Sequence, residues 1–171
     1  MNVNNKIKIY FIPIIAISLL IALDQLTKFI ISSKFELYES KPIIKGVFSI
    51  TYVQNKGIAW GMLEGKRVLF LISTITILIL LFALYINIAN KSKFILMRIG
   101  LVVLIAGAIG NMIDRIKLGY VIDFLDFTLI DFPVFNLADI YVVLSMIYII
   151  ILLFFKYSNE EFDEMFSKSD K

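Results

Sequence analysis

The side chains best suited to chemistry in this sequence are four aspartates in residues 121–140, VIDFLDFTLIDFPVFNLADI. They are Asp123, Asp126, Asp131 and Asp139. An apolar run of membrane-spanning length begins in the same stretch. Charged side chains at or within a membrane are costly, so each needs a structural or a functional reason. Asp123 has apolar neighbours on both sides and no local structural reason, whereas Asp126 and Asp131 resemble solvated loop aspartates near a turn.

Asp139 has a structural alternative to a chemical role. It stands three residues after Asn136, at the start of the last apolar segment and just after Pro133. Asn136 would then be the N-cap of a helix, and Asp139 would complete a capping box at the third helical position. A carboxylate there also complements the positive end of the helix dipole. On spacing alone, capping is the favoured explanation.

The sequence contains no histidine and no cysteine, which limits the possible chemistry. Disulfides, Cys–His and Ser–His nucleophile pairs and HExxH zinc sites are excluded. The predicted third helix ends and the fourth begins on the same membrane face, so Asp123 and Asp139 can be brought together. Two carboxylates that share a site retain one proton between them. One carboxylate could then activate a water molecule while the other protonates a leaving group.

A further pair of ionisable residues, Asp24 and Lys28, lies late in the first apolar segment with i, i+4 spacing. This spacing is typical of an ion pair on a helix surface near the membrane interface. Ionisable residues within a membrane span are, however, functional candidates by default. The sequence alone leaves both explanations open.

The motif GNMIDR at residues 110–115 places a second polar cluster at the end of the third apolar segment. Asp114 there opposes the helix dipole; Lys117 could neutralise it, and Arg115 could extend to the lipid headgroups. Alternatively, Asn111, Asp114 and Arg115 form a polar crevice. The nearby small residues, which would let another helix approach closely, are Ala106, Gly107 and Gly110.

The elements that must position these residues are membrane helices, because 60% of the 171 residues are hydrophobic. Soluble domains are typically about 45–50% apolar. Four segments reach the roughly 20 apolar residues that cross a bilayer, and one domain is expected for this length. The predicted helices cover residues of about 9–31, 68–89, 94–112 and 137–155.

The connections between the predicted helices differ in character. Residues 34–66 contain the alternating GVFSITYV (46–53), then QNKG, IAWGML and EGK, and so predict a small sheet at one membrane face. The short NKSK connection predicts that the second and third helices are antiparallel neighbours. Residues 113–135 form a longer connection. The charged tail, residues 157–171, is predicted to be frayed or helical at the surface.

Charge says little about orientation or partners. The formal charge is only +3 and the lysines are dispersed, so no nucleic-acid partner is expected. Four spans place both termini on one side, but the Lys and Arg counts of the two sides balance and leave the orientation open. Residues 1–23 resemble a signal peptide, yet DQLTK follows instead of a small-x-small cleavage site. A retained first helix is therefore predicted.

Five motifs in order make the chain resemble the bacterial lipoprotein signal peptidases (signal peptidase II) over nearly its whole length. Any one of these motifs alone would be weak, but five in the family's order are specific. Departures from the family pattern are small. Ile58 stands where the family often has Ala, Trp60 stands where it often has Phe, and Ile140 stands where it often has Ser or Ala. The motifs are DQLTK (24–28), QNKGIAWG (54–61), GNMIDR (110–115), VIDF (121–124) and FNLAD (135–139).

The resemblance implies an all-α membrane protein with four transmembrane helices and a small extracytoplasmic β-sheet between helices 1 and 2. It implies an intramembrane aspartyl endopeptidase that cleaves prolipoproteins just before a diacylglyceryl-modified cysteine, without a metal or an organic cofactor. Asp123 and Asp139 become the catalytic pair. Substrate-binding or supporting roles fall on Asp24, Lys28, Asn55, Gly57, Asn111, Asp114, Arg115 and Asn136.

The same resemblance implies a bacterial cell-membrane location, with cytoplasmic termini and an active site near the extracytoplasmic face. The expected partners are diacylglyceryl-modified prolipoproteins and membrane lipids, and a monomer is expected. Two other function classes compete with a peptidase. A small transporter or channel subunit would also place Asp, Asn and Arg inside the membrane, but the two halves of the chain show no repeat. A non-enzymatic lipoprotein-binding protein would have the same crevice with an idle carboxylate pair.

Overall fold

The structure, a computed structural model, describes residues 7–57 and 67–167. A π-helical turn leads into the first helix, and short 3₁₀ turns precede the third helix and follow the last strand. The helices are α1 (Ile12–Lys34), α2 (Arg67–Ile88), α3 (Ile95–Lys117), α4 (Leu137–Phe155) and α5 (Asn159–Phe166). The strands are β1 (Ser40–Ile44), β2 (Phe48–Asn55) and β3 (Val121–Asp126).

The prediction of four membrane-spanning helices is confirmed. Within the described residues, four helical stretches are long and apolar enough to cross a bilayer. The third extends beyond the predicted end at residue 112 because its polar last turn remains helical, with the Leu118 amide donating to the Asp114 carbonyl at 2.7 Å. The stretches are Ile9–Lys34, Val68–Ile88, Ser92–Lys117 and Leu137–Phe155.

The three strands form one antiparallel sheet in the order β1–β2–β3. The two strands between α1 and α2 confirm the predicted sheet, whereas β3 comes from the connection between α3 and α4 and was not predicted. Its first four residues are all buried, so the sequence lacks the alternation by which a half-buried strand is recognised. Val53 pairs with Asp123 in this sheet. Two of the four aspartates, Asp123 and Asp126, are therefore held by a strand and not by a loop.

The capping role predicted at the start of α4 is confirmed. The Asn136 side chain accepts from the Asp139 amide at 3.0 Å, and the Asp139 carboxylate accepts from the Asn136 amide at 3.1 Å. These reciprocal bonds fix the first turn of α4. The Asp139 carboxylate is thereby held in one orientation.

Glycines in α3 let α1 and α4 pack against it closely. A Cβ at Gly107 would lie 2.6 Å from the Ala138 carbonyl oxygen, and one at Gly110 would lie 2.7 Å from Asp24 Oδ2. Both distances are shorter than real Cβ atoms allow, so the glycines are required by contact. The small residues of α3 thus bring the polar parts of three helices together.

The opposite end of the bundle has an apolar core formed where α2, α3 and α5 meet. The tail was predicted to be either frayed or helical at the surface, and α5 shows that part of it is helical. Met165 on α5 is only 1% exposed, so this helix packs against the bundle and does not lie free on its surface. The Asn87 side chain donates to the Met165 carbonyl at 2.6 Å. The predicted IAWGML segment and the departures at Ile58 and Trp60 lie outside the described residues.

Candidate carboxylate site

A buried ion network lies at the sheet end of the bundle, with Lys28 at its centre. Its ammonium group lies 3.0 Å from Asp24 Oδ2 and 2.9 Å from Asp114 Oδ2, and it donates to Asn111 Oδ1 at 3.0 Å. Lys28 is 2% exposed, Asp24 0% and Asp114 3%. Buried charges are tolerated when they are paired and hydrogen-bonded in this way. The i, i+4 ion pair of Asp24 and Lys28 is therefore present, but its expected place on the helix surface is wrong, because both side chains are buried.

The two carboxylates of this network also fix the backbone on either side of the site. Asp24 Oδ1 accepts from the Ala138 amide of α4 at 3.1 Å. Asp114 Oδ2 accepts from the Ile122 amide of β3 at 3.2 Å. Lys28, and not Lys117 as the sequence allowed, is the cation paired with Asp114. The network therefore sets the positions of the strand and the helix on which Asp123 and Asp139 stand.

Two asparagines connect the ion network to those aspartates. Asn111 Oδ1 accepts from Lys28, while Asn111 Nδ2 donates to Asp139 Oδ1 at 2.7 Å. The Asn136 side-chain amide donates to Asn111 Oδ1 at 3.0 Å and to Asp123 Oδ1 at 2.6 Å. Asn136 also donates its backbone N–H to Asp139 Oδ2. One residue thus bonds directly to both carboxylates.

All four oxygens of the carboxylate pair accept hydrogen bonds from amide groups. The fourth donor is the Asn55 side chain on β2, at 2.8 Å from Asp123 Oδ2, and Asn55 Oδ1 accepts in turn from the Gly57 amide at 2.9 Å. Amide donors hold a carboxylate in place without neutralising it with a formal charge. The pair is therefore fixed in position while its protonation state stays free to change.

The environment of Asp123 favours its protonated form. Burial, followed by the negative charge of Asp139, raises the pKa of Asp123 from 3.8 to about 7, against the opposing effects of the Asn55 and Asn136 hydrogen bonds and Lys28. Asp123 is 2% exposed. A carboxyl group that titrates near neutrality beside a second carboxylate is suited to acid–base catalysis.

Both carboxylates line a cavity of about 580 Å³ whose other walls are mainly apolar. Asn55, Gly57 and Arg115 also line it, and the Arg115 guanidinium lies 4.9 Å from the centre of the Phe70 ring. The apolar lining comes from the loop before α4 and from α4 itself: Phe132, Pro133, Val134, Phe135, Ile140, Val143 and Leu144. A cavity of this kind suits an extended, largely apolar ligand.

The remaining two aspartates of the opening stretch lie apart from the pair. Asp126 is half-buried and accepts from the Thr51 hydroxyl at 2.6 Å, so it is a sheet residue and not a solvated loop residue. Asp131 is exposed and has a left-handed backbone (φ 51°) at the end of a 3₁₀ turn, which matches its predicted place near a turn. Neither lines the cavity.

One residue of the site was not singled out from the sequence. The Gln25 side chain donates to Asp24 Oδ2 at 3.2 Å, to the Gly110 carbonyl at 3.3 Å and to Asp114 Oδ1 at 2.8 Å. It thus joins α1 to α3 beside the Lys28 network. The sequence does contain a signal for Gln25, because it is a polar residue next to Asp24 within an apolar helix. A polar side chain in that position needs a hydrogen-bond partner inside the protein.

The helices and the site together define a class: a multi-pass membrane protein with paired carboxylates at an apolar cavity. Comparison with known proteins gives the family. The family model described as signal peptidase (SPase) II matches residues 16–155. The chain therefore belongs to the signal peptidase II family, a family of membrane proteases. This assignment favours the peptidase over the transporter or channel hypothesis.

Individual relatives agree with this assignment. The chain is 44% identical to the lipoprotein signal peptidase of Halothermothrix orenii over 139 residues, covering 81% of this chain and 92% of that one. It is 42% identical to that of Enterococcus faecalis over 136 residues, covering 80% and 83%. A solved bacterial membrane enzyme matches with a TM-score of 0.77 and 35% identity, over 95% of this chain and 96% of that one.

Proposed function

We propose that this chain is an aspartic-type intramembrane endopeptidase that cleaves prolipoproteins immediately before a diacylglyceryl-modified cysteine. The observation that supports this most strongly is the pair Asp123 and Asp139, joined by Asn136 on the wall of one cavity. The expected substrate matches the cavity, because a signal peptide and acyl chains are apolar and would contact the apolar wall.

In the proposed reaction, one aspartate is ionised and the other is protonated. The ionised aspartate removes a proton from water, and the water oxygen attacks the scissile carbonyl carbon. The protonated aspartate stabilises the resulting oxyanion by hydrogen bonding. Collapse of the tetrahedral intermediate re-forms the carbonyl and breaks the C–N bond, and the cysteine amine leaves with the proton that the first aspartate took from water. The raised pKa of Asp123 supports a pair with one proton near neutral pH.

The other polar residues have positioning roles in this proposal. Lys28, Asp24 and Asp114 hold α1, α3, α4 and β3 in register, and Asn111 and Asn136 pass that placement to the carboxylates. Asn55 and Gly57 stand at the sheet side of the cavity, where they could contact the substrate backbone. Arg115 lines the same cavity as a fixed cation, suited to a substrate carbonyl or the lipid-bearing end.

We further propose that the termini are cytoplasmic and that the carboxylate site faces the extracytoplasmic side, with the chain acting as a monomer among membrane lipids. Because the sequence has no cysteine, single-cysteine variants report accessibility without background. Ser40→Cys should react with an impermeant maleimide added outside intact cells, and Lys156→Cys should not. The reverse pattern would refute this orientation.

The activity test uses the purified chain in detergent and a synthetic prolipoprotein in two forms, with and without the diacylglyceryl group. Mass spectrometry should show cleavage of the lipidated form just before the modified cysteine and no cleavage of the unlipidated form. Binding of the lipidated form without cleavage would favour the non-enzymatic lipoprotein-binding hypothesis. Cleavage at another bond would refute the proposed site of cutting.

A further inference from the structure

A second cavity, of about 670 Å³, lies at the opposite end of the bundle from the carboxylate pair. It is formed by the start of α1, the end of α2 and the start of α3. Among the described residues its lining is apolar except for a few groups, of which Arg98 is the only one with a formal charge. No role in the proposed reaction requires this cavity.

The Arg98 charge is not neutralised by any described carboxylate. Within residues 7–57 and 67–167, no acidic oxygen lies within 4.0 Å of its guanidinium group. Its partners are neutral, since Nη1 donates to the Ala89 carbonyl at 2.8 Å and the Tyr85 hydroxyl lies alongside. Its Nε is buried with no acceptor among the described atoms. An arginine within a membrane-spanning stretch normally has a compensating partner.

The position of Arg98 in α3 increases the need for an anion. Arg98 stands in the first turn of α3, where the helix dipole is positive. This turn contains no acidic residue, and the helix has no side-chain cap. The helix therefore adds to the positive potential created by the guanidinium group and does not compensate it.

The cavity opens sideways, toward the place where lipid surrounds the bundle. Three of its lining residues are more than half exposed: Ile12 at 54%, Ile95 at 53% and Ile99 at 51%. A ligand that enters here from the bilayer would contact apolar walls with its chain and a cation with its head. Basic pockets between membrane helices are suited to anionic lipid headgroups.

We propose that this cavity binds one anionic phospholipid from the leaflet on the terminus side, with an acyl chain along the apolar wall and the phosphate at Arg98. The inference requires only that the helices span a membrane. It is independent of the peptidase proposal and of which side of the membrane the termini occupy. Arginine and phosphate form a charge-assisted pair. A zwitterionic lipid should bind less tightly, because its headgroup carries a positive charge beside the phosphate.

The test measures thermal unfolding of the purified chain in neutral detergent during titration with dioleoylphosphatidylglycerol. A lipid that binds the native state raises the Tm with concentration and then approaches saturation of its site. Dioleoylphosphatidylcholine should raise the Tm less at equal concentration. If phosphatidylcholine or inorganic phosphate alone matches phosphatidylglycerol, the proposal is refuted.

Matched variants assign the effect to this cavity. Arg98→Gln should weaken phosphatidylglycerol binding about tenfold, whereas Arg98→Lys should keep most of the preference. Lys156→Gln removes one exposed positive charge at the same end and should bind as the unmodified chain does. Ala16→Phe fills the cavity from α1 and should reduce the stabilisation by phosphatidylglycerol.

The variants keep the test decisive even if one of them folds poorly. Circular dichroism in detergent checks the helix content of each variant before titration. If Arg98→Gln does not fold, the preference of the unmodified chain for phosphatidylglycerol over phosphatidylcholine still tests headgroup recognition, and Ala16→Phe still tests recognition of the acyl chain. Unchanged phosphatidylglycerol binding by a folded Arg98→Gln or Ala16→Phe variant would overturn the assignment. The readout does not use turnover, so it stands whether or not the peptidase proposal holds.

Discussion

At the end of the helix bundle that holds the chain termini the buried side chains are mostly apolar. At the sheet end a small apolar cluster around Tyr52 and Phe124 lies beside several buried charged or amide groups. Ile88 and Phe94, both 0% exposed, represent the first end. Asp24 and Asn136, also 0% exposed, represent the second. Both ends are closely packed, but only the apolar end has the side chains that would maximise stability. A buried ion network can often be replaced by apolar side chains of similar volume without loss of stability.

The sheet end therefore retains its charges for a reason other than stability. In our proposal that reason is the precise placement of two carboxylates. Substitutions that lower activity and stability alike at both ends would contradict this difference, and substitutions that separate activity from stability would support it.

The largest effect is expected from Asp123→Asn and Asp139→Asn. Each should reduce turnover of the lipidated prolipoprotein at least about a thousandfold, because an amide can neither activate water nor supply the shared proton. Turnover is measured in detergent with the purified variants. Asp131→Asn, at an exposed aspartate outside the cavity, is the matched control and should stay near full activity. Near-normal turnover of either variant would refute the proposed catalytic pair.

Asp123→Asn should also change how stability depends on pH. The native-state pKa of about 7 lies above the ordinary 3.8, so the native state binds an extra proton between these values. Stability therefore falls as pH rises from about 4 to about 7. The asparagine variant should lose this part of the pH dependence in thermal unfolding, and at pH 8 it should be at least as stable as the unmodified chain.

The next largest effect is expected from Lys28→Met, which leaves two buried carboxylates without their cation. It should lower the free energy of unfolding by about 3–5 kcal/mol and also abolish turnover. Lys117→Met removes an exposed lysine at the same end and should change stability by less than about 0.5 kcal/mol. The measurement is unfolding in detergent by circular dichroism.

A triple variant sharpens this second prediction. Replacing Asp24 by Asn, Lys28 by Met and Asp114 by Asn removes the whole charge set. Stability should then recover relative to Lys28→Met alone, since no uncompensated charge remains. Turnover should stay absent, because the backbone of β3 and α4 has lost its charged acceptors. Recovery of activity together with stability would show that the network only stabilises the fold.

At the apolar end, Phe94→Ala should lower the free energy of unfolding by about 3–5 kcal/mol, because Phe94 is fully buried and contacts the Tyr157 ring at 5.4 Å between centroids. Turnover per folded molecule should remain close to that of the unmodified chain. The check combines unfolding with an activity assay at a temperature where the variant is folded. A loss of turnover per folded molecule would mean that the two ends are coupled.

The smallest effect is a shift in the pH dependence of activity. The alkaline limb of kcat/KM should lie near pH 7, where Asp123 loses its proton. The Asn55 hydrogen bond lowers the pKa of Asp123, so Asn55→Ala should move this limb to higher pH by a fraction of a pH unit. Thr51→Ala, on the same strand but bonded to Asp126, is the control. A shift to lower pH would contradict the assignment of the limb.

The sequence predicted the four spans, because length and apolar composition decide whether a segment can cross a membrane. It also placed the N-cap of α4, which depends on local spacing. It did not predict β3, whose buried run lacks alternation. Nor could it pair Lys28 with Asp114, since both have nearer partners in sequence and only the close approach at Gly107 and Gly110 brings them together. The docking of α5 likewise depends on tertiary contact.

The bond between Asp24 and the Ala138 amide has a consequence for biosynthesis. It joins the first span to the last across 114 residues of sequence. A nascent chain that has inserted only three spans lacks Asn136, Ala138 and Asp139, and its Asp24 and Asp114 have only part of their final partners. The Asp123–Asp139 pair can therefore form only after the ribosome has delivered α4. In our proposal, proteolytic activity is acquired only when translation of the last span is complete.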